Sequence, residues 1–557
     1  MPDLRLYRLA FLPALAALVA LAFSLHGVPE PIDPGPVATA FDAEAANRLA
    51  RTIARQYPER TAGSEGDEAV ADLVSERFGQ IAAGEVLEQR FEAKLDGEER
   101  ELRNVALILP GRSDRSMLLL AARDATGGEG ATSSAAATGL LAELAVALGT
   151  AERQRTVIVA STTASEGALG VRELLEGLPE RYEPEAALVI TQPGAAEPRP
   201  PHVLTDSASR HVPAPELIET VREMLLVQAE LEAGLEGAGL QLARLALPSG
   251  VGEQAALNGA GLDAVALSSA GRLLPPSELD TRAQLSAETI DAFGRAALAS
   301  AIALAAAPQE LERGPDSYLR LGETIVPGRP LAWLALALLV PPAALVAVQL
   351  ARAGRARGPA LAWAASWAAP GVAALLVLKA LALVGLVPTP AYPFDPGTLE
   401  LGVSEALALA LLAAIAAAVV LLGPPAHMPR GLPRPLLGAS AGALTLLAAL
   451  ALWAANPYCA LLAAPLVHLP LAHAVARPPG RAALAALALL GLVPLALALA
   501  AVAGALDWGK STLWQLTVLV AEGAIGFVQA AALAILAGAT VASVLAAGRR
   551  QGAARQA

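Results

Sequence analysis

The chain has 557 residues, of which 55% are hydrophobic and 17% are charged. This is more hydrophobic and less charged than an ordinary soluble protein, as is typical of membrane proteins. Its 40 Lys and Arg are outnumbered by 52 Asp and Glu, and the soluble part lacks the basic patch that a nucleic-acid partner would require. The single cysteine, Cys459, excludes a disulfide within the chain.

Charge is divided unevenly between two long segments. Residues 27–325 carry 25 Lys/Arg and 46 Asp/Glu, whereas residues 326–557 carry 13 and 5. The length leaves room for more than one folding unit. This division predicts an acidic soluble part followed by an apolar membrane part. Arg far outnumbers Lys and Ala is abundant, which indicates a GC-rich, bacterial genome.

The first apolar segment is residues 9–25, which follow the basic residues Arg5 and Arg8. A run of this length is also compatible with a signal peptide. No small-x-small cleavage site precedes His26, so residues 1–26 are predicted to be a cytoplasmic head and an uncleaved membrane anchor.

Residues 27–328 show the alternation of helix and strand that is typical of an α/β layered fold with a mostly parallel sheet. Amphipathic patterns predict helices at 41–60, 67–82, 137–149, 167–178 and 215–235. Apolar runs predict strands at 86–91, 105–109, 117–121, 156–161 and 186–191. This segment is predicted to be one extracytoplasmic domain.

Several motifs in this domain resemble the di-zinc aminopeptidase family in order and spacing. They are Arg60-Thr-Ala-Gly-Ser64, the strand 86–91, Asn104-Val105, Pro110-Gly111, and the helix 130–145, which aligns without gaps on that family's Gly-Ala-x-Asp-Asn-x-Ser-Gly segment. The resemblance spans residues 40–305. It implies an aminopeptidase-like α/β/α fold and a site with two zinc ions held by two His, two Asp and one Glu.

Most of the implied zinc-site residues are replaced in this chain. Ala122 stands where the first His is expected, Asp124 is kept, and Ser133 replaces the bridging Asp. Ser165 replaces the general base and Glu166 is kept. Thr191 replaces the Asp at the end of the next strand, and Glu253-Gln254 replaces the final Asp-His pair. Four of five ligands and the base are missing, so no cofactor is expected. His202 and His211 lie in the Pro-rich stretch 195–215, interpreted as a surface loop, and are not expected to bind metal.

The order of the segments also resembles the membrane subunit of GPI transamidase. That subunit has one anchor, a zinc-less aminopeptidase-like domain and further spans, and it is a non-catalytic, lipid-holding part of a complex. Short matches at Leu247-Pro248-Ser249-Gly250, 261–267 and 317–328 add to this resemblance. It implies a membrane lipid and a protein partner.

Residues 329–557 are predicted to form seven membrane spans and a short tail. The spans are expected at 330–351, 360–387, 403–423, 436–455, 457–476, 482–505 and 516–546, with residues 506–522 as an alternative interfacial helix. Arginines occur in alternate connections only, which predicts that those connections and both termini are cytoplasmic. The expected location is the plasma membrane. Polar groups within the spans are candidate functional residues: Lys379, Glu405, His468 and Glu522. Glu405, Glu522 and His473 are alternatively explained as groups at span ends that reach the interface.

Three functions remain open from the sequence. The first is a catalytically inactive membrane protein that binds a lipid or polypeptide and presents it to a partner. The second is a membrane-bound zinc metallopeptidase with a remodelled site, and the third is a transporter-like protein. A serine hydrolase using Ser133 or Ser165 is disfavoured because no Gly-x-Ser-x-Gly motif is present.

Overall fold

The computed structural model describes residues 8–35, 39–95, 97–125, 127–276, 278–307, 311–394, 399, 401–422, 431–473 and 478–547. Within these residues an α/β unit precedes a group of apolar helices. The strands are β1 (His26–Gly27), β2 (Glu85–Leu95), β3 (Glu98–Leu109), β4 (Ser116–Ala122), β5 (Thr156–Thr162), β6 (Pro184–Ile190), β7 (Val203–Leu204), β8 (Asp263–Leu267), β9 (Tyr318–Leu321) and β10 (Thr324–Pro327).

Helices of the first part are α1 (Leu12–Phe23), α2 (Ala43–Gln56), α3 (Glu65–Gly79), α4 (Ala136–Thr150), α5 (Leu169–Gly177), α6 (Pro215–Ala229), α7 (Ala238–Ala246), α8 (Glu253–Gly259) and α9 (Ala287–Ala306). Those of the second part are α10 (Gly328–Leu338), α11 (Val340–Arg352), α12 (Arg357–Ser366), α13 (Ala369–Leu383), α14 (Val403–Leu422), α15 (Arg434–Ala455), α16 (Pro457–Val467), α17 (Arg481–Ala505), α18 (Thr512–Glu522) and α19 (Phe527–Ala546).

The main sheet has seven strands in the order β2-β3-β5-β4-β6-β8-β7. Neighbours β5, β4, β6 and β8 are parallel, whereas β2, β3 and β7 are antiparallel to their neighbours. The predicted α/β class with a mostly parallel sheet is therefore confirmed for this unit. Strand β5 is buried along its whole length, as expected for a strand covered by helices on both faces.

Alternate residues of the central strands pack into two different cores. Leu119 and Val159 face one core with α2, α4 and α9, whereas Leu118 and Ile158 face the other with α5 and α8. This alternation follows from the two-residue period of a strand and gives a three-layer α/β/α arrangement. Helix α4 approaches α2 closely at Gly139, where a Cβ would lie 2.5 Å from the Ala46 carbonyl oxygen.

Seven of the described helices are long and apolar enough to cross a membrane, or eight if the bent pair 354–366 and 369–383 forms one span. Two of the seven, Ala131–Thr150 and Ala287–Ala306, are mostly buried against the sheet and belong to the α/β core. The other five are Gly328–Arg352, α14, α15, α17 and α19.

Four predicted spans differ from the structure. The predicted span 360–387 is divided into α12 and α13, which form part of the pair bent by 43°. The predicted span 516–546 is wrong as one helix, because Gly523, with φ +116°, and Gly526 separate α18 from α19. Residues 512–522 thus form a separate helix, α18, within the segment 506–522 for which the sequence left an interfacial helix as an alternative. The predicted span 457–476 is an 11-residue helix, α16, followed by a 3₁₀ turn at 469–473. Helix α1 has 12 residues, fewer than the apolar run 9–25.

The α/β unit and the apolar helices meet at the end of α7. The Asn456 side-chain amide donates to the carbonyl oxygens of Leu245 and Ala246, each at 3.0 Å. The Gln529 amide donates to the same Ala246 oxygen at 3.1 Å. The motif Leu247–Gly250 directly follows this contact, so it lies at the junction of the two parts.

We expect Asn456→Ala to loosen this junction. Its side chain also accepts from the Tyr458 and Cys459 amides at the start of α16, so the change removes a helix cap. It also removes the side-chain donor to the Leu245 carbonyl and leaves the Ala246 carbonyl with Gln529 alone. The expected loss is about 2 to 4 kcal/mol of unfolding free energy. Hydrogen exchange should rise in residues 238–250. The control Asp42→Ala removes only the cap of α2 and should cost about 1 kcal/mol. Unchanged exchange in 238–250 would argue against the contact.

Candidate functional site

The carboxyl ends of β4, β5, β6 and β8 meet at one edge of the sheet because these strands are parallel. A cavity of about 1330 Å³ lies at this edge. Its lining includes all eight sequence-predicted site residues: Ala122, Asp124, Ser133, Ser165, Glu166, Thr191, Glu253 and Gln254. The opposite wall is formed by residues 505–511, from the end of α17 and its connection to α18, and by Gln515 of α18. The cavity therefore lies between the sheet and the apolar helices.

Asp124, directly after β4, is hydrogen-bonded to Ser165. The Ser165 hydroxyl donates to the Asp124 carboxylate at 2.9 Å, and the Ser165 amide donates to both carboxylate oxygens at 3.2 and 3.1 Å. Burial, and then the negative charge of Asp67, raise the pKa of Asp124 to about 6. The kept carboxylate thus binds the residue that replaces the implied general base.

Ser133 is paired with a carboxylate that sequence reasoning missed. Its hydroxyl donates to Asp280, whose other oxygen accepts from the Thr132 amide and hydroxyl at 2.7 and 2.8 Å and from the Ser133 amide at 3.1 Å. Asp280 belongs to the connection between β8 and α9, far from Ser133 in sequence and outside any motif. The one feature of the sequence that could have indicated such a carboxylate is the helix start at Ala131, because the unpaired amides at the start of a helix favour an acidic partner.

Glu253 is the first residue of α8, and its side chain contacts the end of β5. The Thr162 hydroxyl donates to its carboxyl at 2.7 Å. Burial raises the pKa of Glu253 to about 8, and the charge of Asp124 acts in the same direction. The neighbouring Gln254 amide donates to the Val251 carbonyl oxygen at 2.7 Å. Burial therefore favours the neutral form more strongly at Glu253 than at Asp124.

A buried ion pair lies beneath these groups. Arg123 is fully buried, and its Nε lies 2.8 Å from Asp67 Oδ1. The Thr163 hydroxyl and the Gly63 amide donate to the other Asp67 oxygen at 2.8 and 3.0 Å. Arg60 is also fully buried and donates to the carbonyl oxygens of Arg123 and Glu129 and to the Ser134 hydroxyl. Burial lowers the pKa of Arg60 to about 10.

Other predicted positions have different surroundings. Thr191 is half-buried and its amide donates to the Leu267 carbonyl oxygen at 3.0 Å, continuing the β6–β8 pairing. Glu166 is exposed. The interpretation of 195–215 as a surface loop is wrong for His202, which is 5% exposed and contacts the Ser268 carbonyl oxygen at 3.1 Å. His211 lies 2.9 Å from Asp263. Neither histidine lines the cavity at the strand ends.

The polar groups that the sequence singled out in the apolar helices are bound locally and are not among the residues that line this cavity. The Lys379 ammonium donates to the Ala521 carbonyl oxygen at 3.1 Å, at the end of α18. Glu522 accepts from the Ala524 amide, Glu405 from the Ser404 hydroxyl, and His468 contacts the Leu338 carbonyl oxygen. His473, which was alternatively expected at an interface, is 2% exposed and lies between Arg434 and Ser543.

The donor set at the strand ends does not fit the two zinc ions that the resemblance implies. No group of three or more His, Cys, Asp or Glu in the described part of the chain could hold a metal ion. Both Asp124 oxygens accept hydrogen bonds from Ser165, and Ala122, Ser133 and Thr191 offer no imidazole or carboxylate. The arrangement can bind polar groups, and two carboxyls with separated pKa values can exchange protons with them.

Comparisons with known proteins found similar solved structures only. No protein-family model and no curated protein matches the sequence. Among the structures, LapB from Legionella pneumophila is 17% identical, with 52% of this chain and 80% of that chain covered and a TM-score of 0.41. BSAP, a zinc aminopeptidase from Bacillus subtilis, is 11% identical, with 50% and 99% covered and a TM-score of 0.41. A leucine aminopeptidase precursor from Bacteroides thetaiotaomicron is 14% identical, with 47% and 96% covered and a TM-score of 0.36.

At these identities and TM-scores the likeness supports no statement about the activity of this chain. The fold described above rests on the strand order and the two cores. The resemblance in layout to the membrane subunit of GPI transamidase is not tested by the comparisons and stays a prediction.

We expect Glu253→Gln to change how stability depends on pH. A carboxyl whose pKa is raised in the folded state stabilises the fold fully below its unfolded value, 4.5, and loses that contribution as pH rises through about 8. The amide does not titrate. The unfolding free energy of wild type should therefore fall relative to the variant by up to about 1.4 kcal/mol per pH unit across this window. Denaturant titrations of both proteins at pH 5 and pH 8 measure this difference. If the unfolding free energies of wild type and variant changed equally between the two pH values, the raised pKa of Glu253 would be contradicted.

Removing Asp67 should be strongly destabilising. Asp67→Ala leaves the buried Arg123 charge without its carboxylate, which costs about 3 to 5 kcal/mol of unfolding free energy. As a matched control, Glu44→Ala breaks the exposed pair with Arg48 and should cost less than about 0.5 kcal/mol. Denaturant titration of both variants measures the two losses, and similar values would show that burial of the pair is unimportant.

Proposed function

We propose that this chain is a non-catalytic membrane protein that holds a lipid or polypeptide between its α/β unit and its apolar helices and presents it to a partner protein. The observation that carries the proposal is the position of the cavity. It occupies the strand-end edge where α/β folds bind ligands, and the segment 505–511 closes its other side.

The polar side chains around the cavity support a binding role. Asp124, Ser133 and Glu253 each have a neighbouring hydroxyl or carboxylate as hydrogen-bond partner, so their geometry is fixed without a metal. Fixed donors and acceptors discriminate between ligands because a ligand that leaves them unpaired loses binding free energy.

The apolar helices support residence in a membrane, with the α/β unit extracytoplasmic. Helices α10, α16, α18 and the end of α17 adjoin the α/β unit, whereas Arg352, Arg357 and Arg481 lie at the opposite helix ends. Positive residues remain on the cytoplasmic side of membranes, so this arrangement favours cytoplasmic helix ends away from the α/β unit. The proposed location is the plasma membrane, with both termini cytoplasmic.

A remodelled hydrolase is a second candidate, favoured by one observation. Asp124 and Glu253 line one cavity with pKa values of about 6 and about 8. Carboxyls with separated pKa values are the arrangement used for acid and base steps.

Metal analysis and peptidase assays separate the two candidates. For the full chain purified with zinc present, we expect less than about 0.1 zinc per chain by elemental analysis and no release of amino acids from peptide substrates, since the donor set lacks imidazole. Near-stoichiometric zinc, or activity that is lost in Glu166→Ala and kept in Glu197→Ala, would overturn the non-catalytic role. Both Glu166 and Glu197 are exposed cavity residues, so the pair is matched.

The partner is tested by co-purification of the full chain from its native membrane after chemical cross-linking. We expect one protein to be recovered reproducibly and in near-equal amount. Recovery of the chain alone under these conditions would contradict presentation to a partner.

A further inference from the structure

The cavity changes in polarity from one side to the other. The wall at the strand ends is polar, with Asp124, Ser133, Ser165 and Glu253. The loop between β8 and α9 contributes Leu273, Leu274, Pro275, Pro276 and Leu279, and the helical wall adds Ala505 and Leu506. A ligand that satisfies both sides is amphipathic, with a polar group at the strand ends and an apolar part at the loop.

Leu274 and Leu279 are exposed as well as lining the cavity. They leave 56% and 43% of their surfaces accessible, and together with Leu273, Pro275 and Pro276 they form an apolar lip on an acidic unit. The opposite wall begins at Ala505, where the 25-residue apolar helix α17 ends. The end of a spanning helix marks the edge of the hydrocarbon layer. The lip is thus located where lipid chains can pass between the bilayer and the cavity.

The charge of the lining selects among lipid head groups. Six acidic side chains line the cavity: Asp124, Glu166, Glu197, Glu253, Asp280 and Asp507. Burial raises the pKa of Glu253 and favours its neutral form, so the negative charge comes from the other five. Three basic side chains line the cavity: Arg199, Arg272 and Lys510. Arg272 is already paired, with its Nε 3.0 Å from Asp206. An ammonium group is therefore favoured inside the cavity, and a head group with net negative charge is repelled.

We propose that the cavity binds a membrane lipid whose head group carries an ammonium and no net negative charge. This inference rests on the proposed function. The head of the lipid lies at the strand ends beside Asp124, and its chains leave past Leu274 and Leu279. Phosphatidylethanolamine has this chemistry, whereas phosphatidylglycerol lacks the ammonium and carries net negative charge.

The test uses the full chain in phosphatidylcholine nanodiscs that contain equal amounts of phosphatidylethanolamine and phosphatidylglycerol. Native mass spectrometry counts the lipids retained after release from the disc. We expect phosphatidylethanolamine to be retained about tenfold over phosphatidylglycerol, equivalent to about 1.4 kcal/mol. Equal retention, or preference for phosphatidylglycerol, overturns the proposal.

Variants test the lip and the charge. Leu274→Ser with Leu279→Ser should lower retention severalfold, while the control Leu226→Ser with Val227→Ser, on the exposed surface of α6, should leave it unchanged. Asp507→Asn should weaken the preference for the ammonium lipid and Lys510→Gln should strengthen it. Asp507 has φ +49°, which asparagine tolerates well, so this variant keeps the backbone. If the Leu274/Leu279 double variant and its control lowered retention equally, the lip would have no specific role in lipid binding.

Failure of this inference is distinguishable from failure of the proposed function. Thr191→Trp and Gln284→Trp fill the cavity from a half-buried and an exposed lining residue, so at least one is expected to fold. Retention that both variants abolish, but that shows no preference between the two lipids, overturns only the ammonium selectivity. Retention unaffected by a folded cavity-filling variant shows that lipid binds elsewhere, and both proposals then fail.

Discussion

The buried guanidinium of Arg123 constrains the whole strand-end edge of the sheet. It lies at the end of the central strand β4, and a charge at that depth is tolerated only with a matched partner. Asp67 supplies the partner from α3, and the guanidinium donates further hydrogen bonds to the carbonyl oxygens of Ser161 in β5 and Arg103 in β3. One side chain therefore holds three strands and a helix in fixed positions, and Asp124 follows it directly.

Because Arg123 fixes the backbone on either side, the polar groups above it have little freedom. Asp124 binds the amide and hydroxyl of Ser165, and Thr162, at the end of the neighbouring strand, donates to Glu253. Asp280 reaches from another loop to the start of the helix at Ala131. These pairs join the ends of β4, β5 and β8, or the segments that follow them, to one another and to the start of α8. Hydrogen bonds between side chains thus provide the cross-links that metal coordination provides in a di-zinc site, which explains how the edge keeps its shape with the residues that are present.

The sequence was informative where periodicity or order decides the structure. Strands such as 156–161 and 117–121 were predicted within a residue or two, since continuous apolar runs leave few alternatives. The eight aligned site positions do share one cavity. Asp280 could not be predicted, because its partners at 132 and 133 lie about 150 residues away and only the folded chain brings them together. Helix ends in the apolar part were missed for a different reason. At 523–526 Ala and Gly continue an apolar run whose break depends on the backbone conformation of Gly523.

The contacts of α7 with the apolar helices provide a route by which ligand binding in the α/β unit could affect the positions of those helices. Arg244 of α7 and Arg272 of the β8–α9 loop both pair with Asp206, at 3.0 Å each, and both also contact Glu236. Arg272 lines the cavity at the strand ends, while α7 ends on Asn456 and Gln529. A displacement of the loop by a ligand would strain this partly buried cluster of four charges and, through Arg244, the helix that contacts α16 and α19. Such a cluster transmits displacement because separating buried opposite charges is costly. The cavity and the apolar helices are therefore mechanically connected through α7, as presentation of a bound ligand to a partner at the membrane would require.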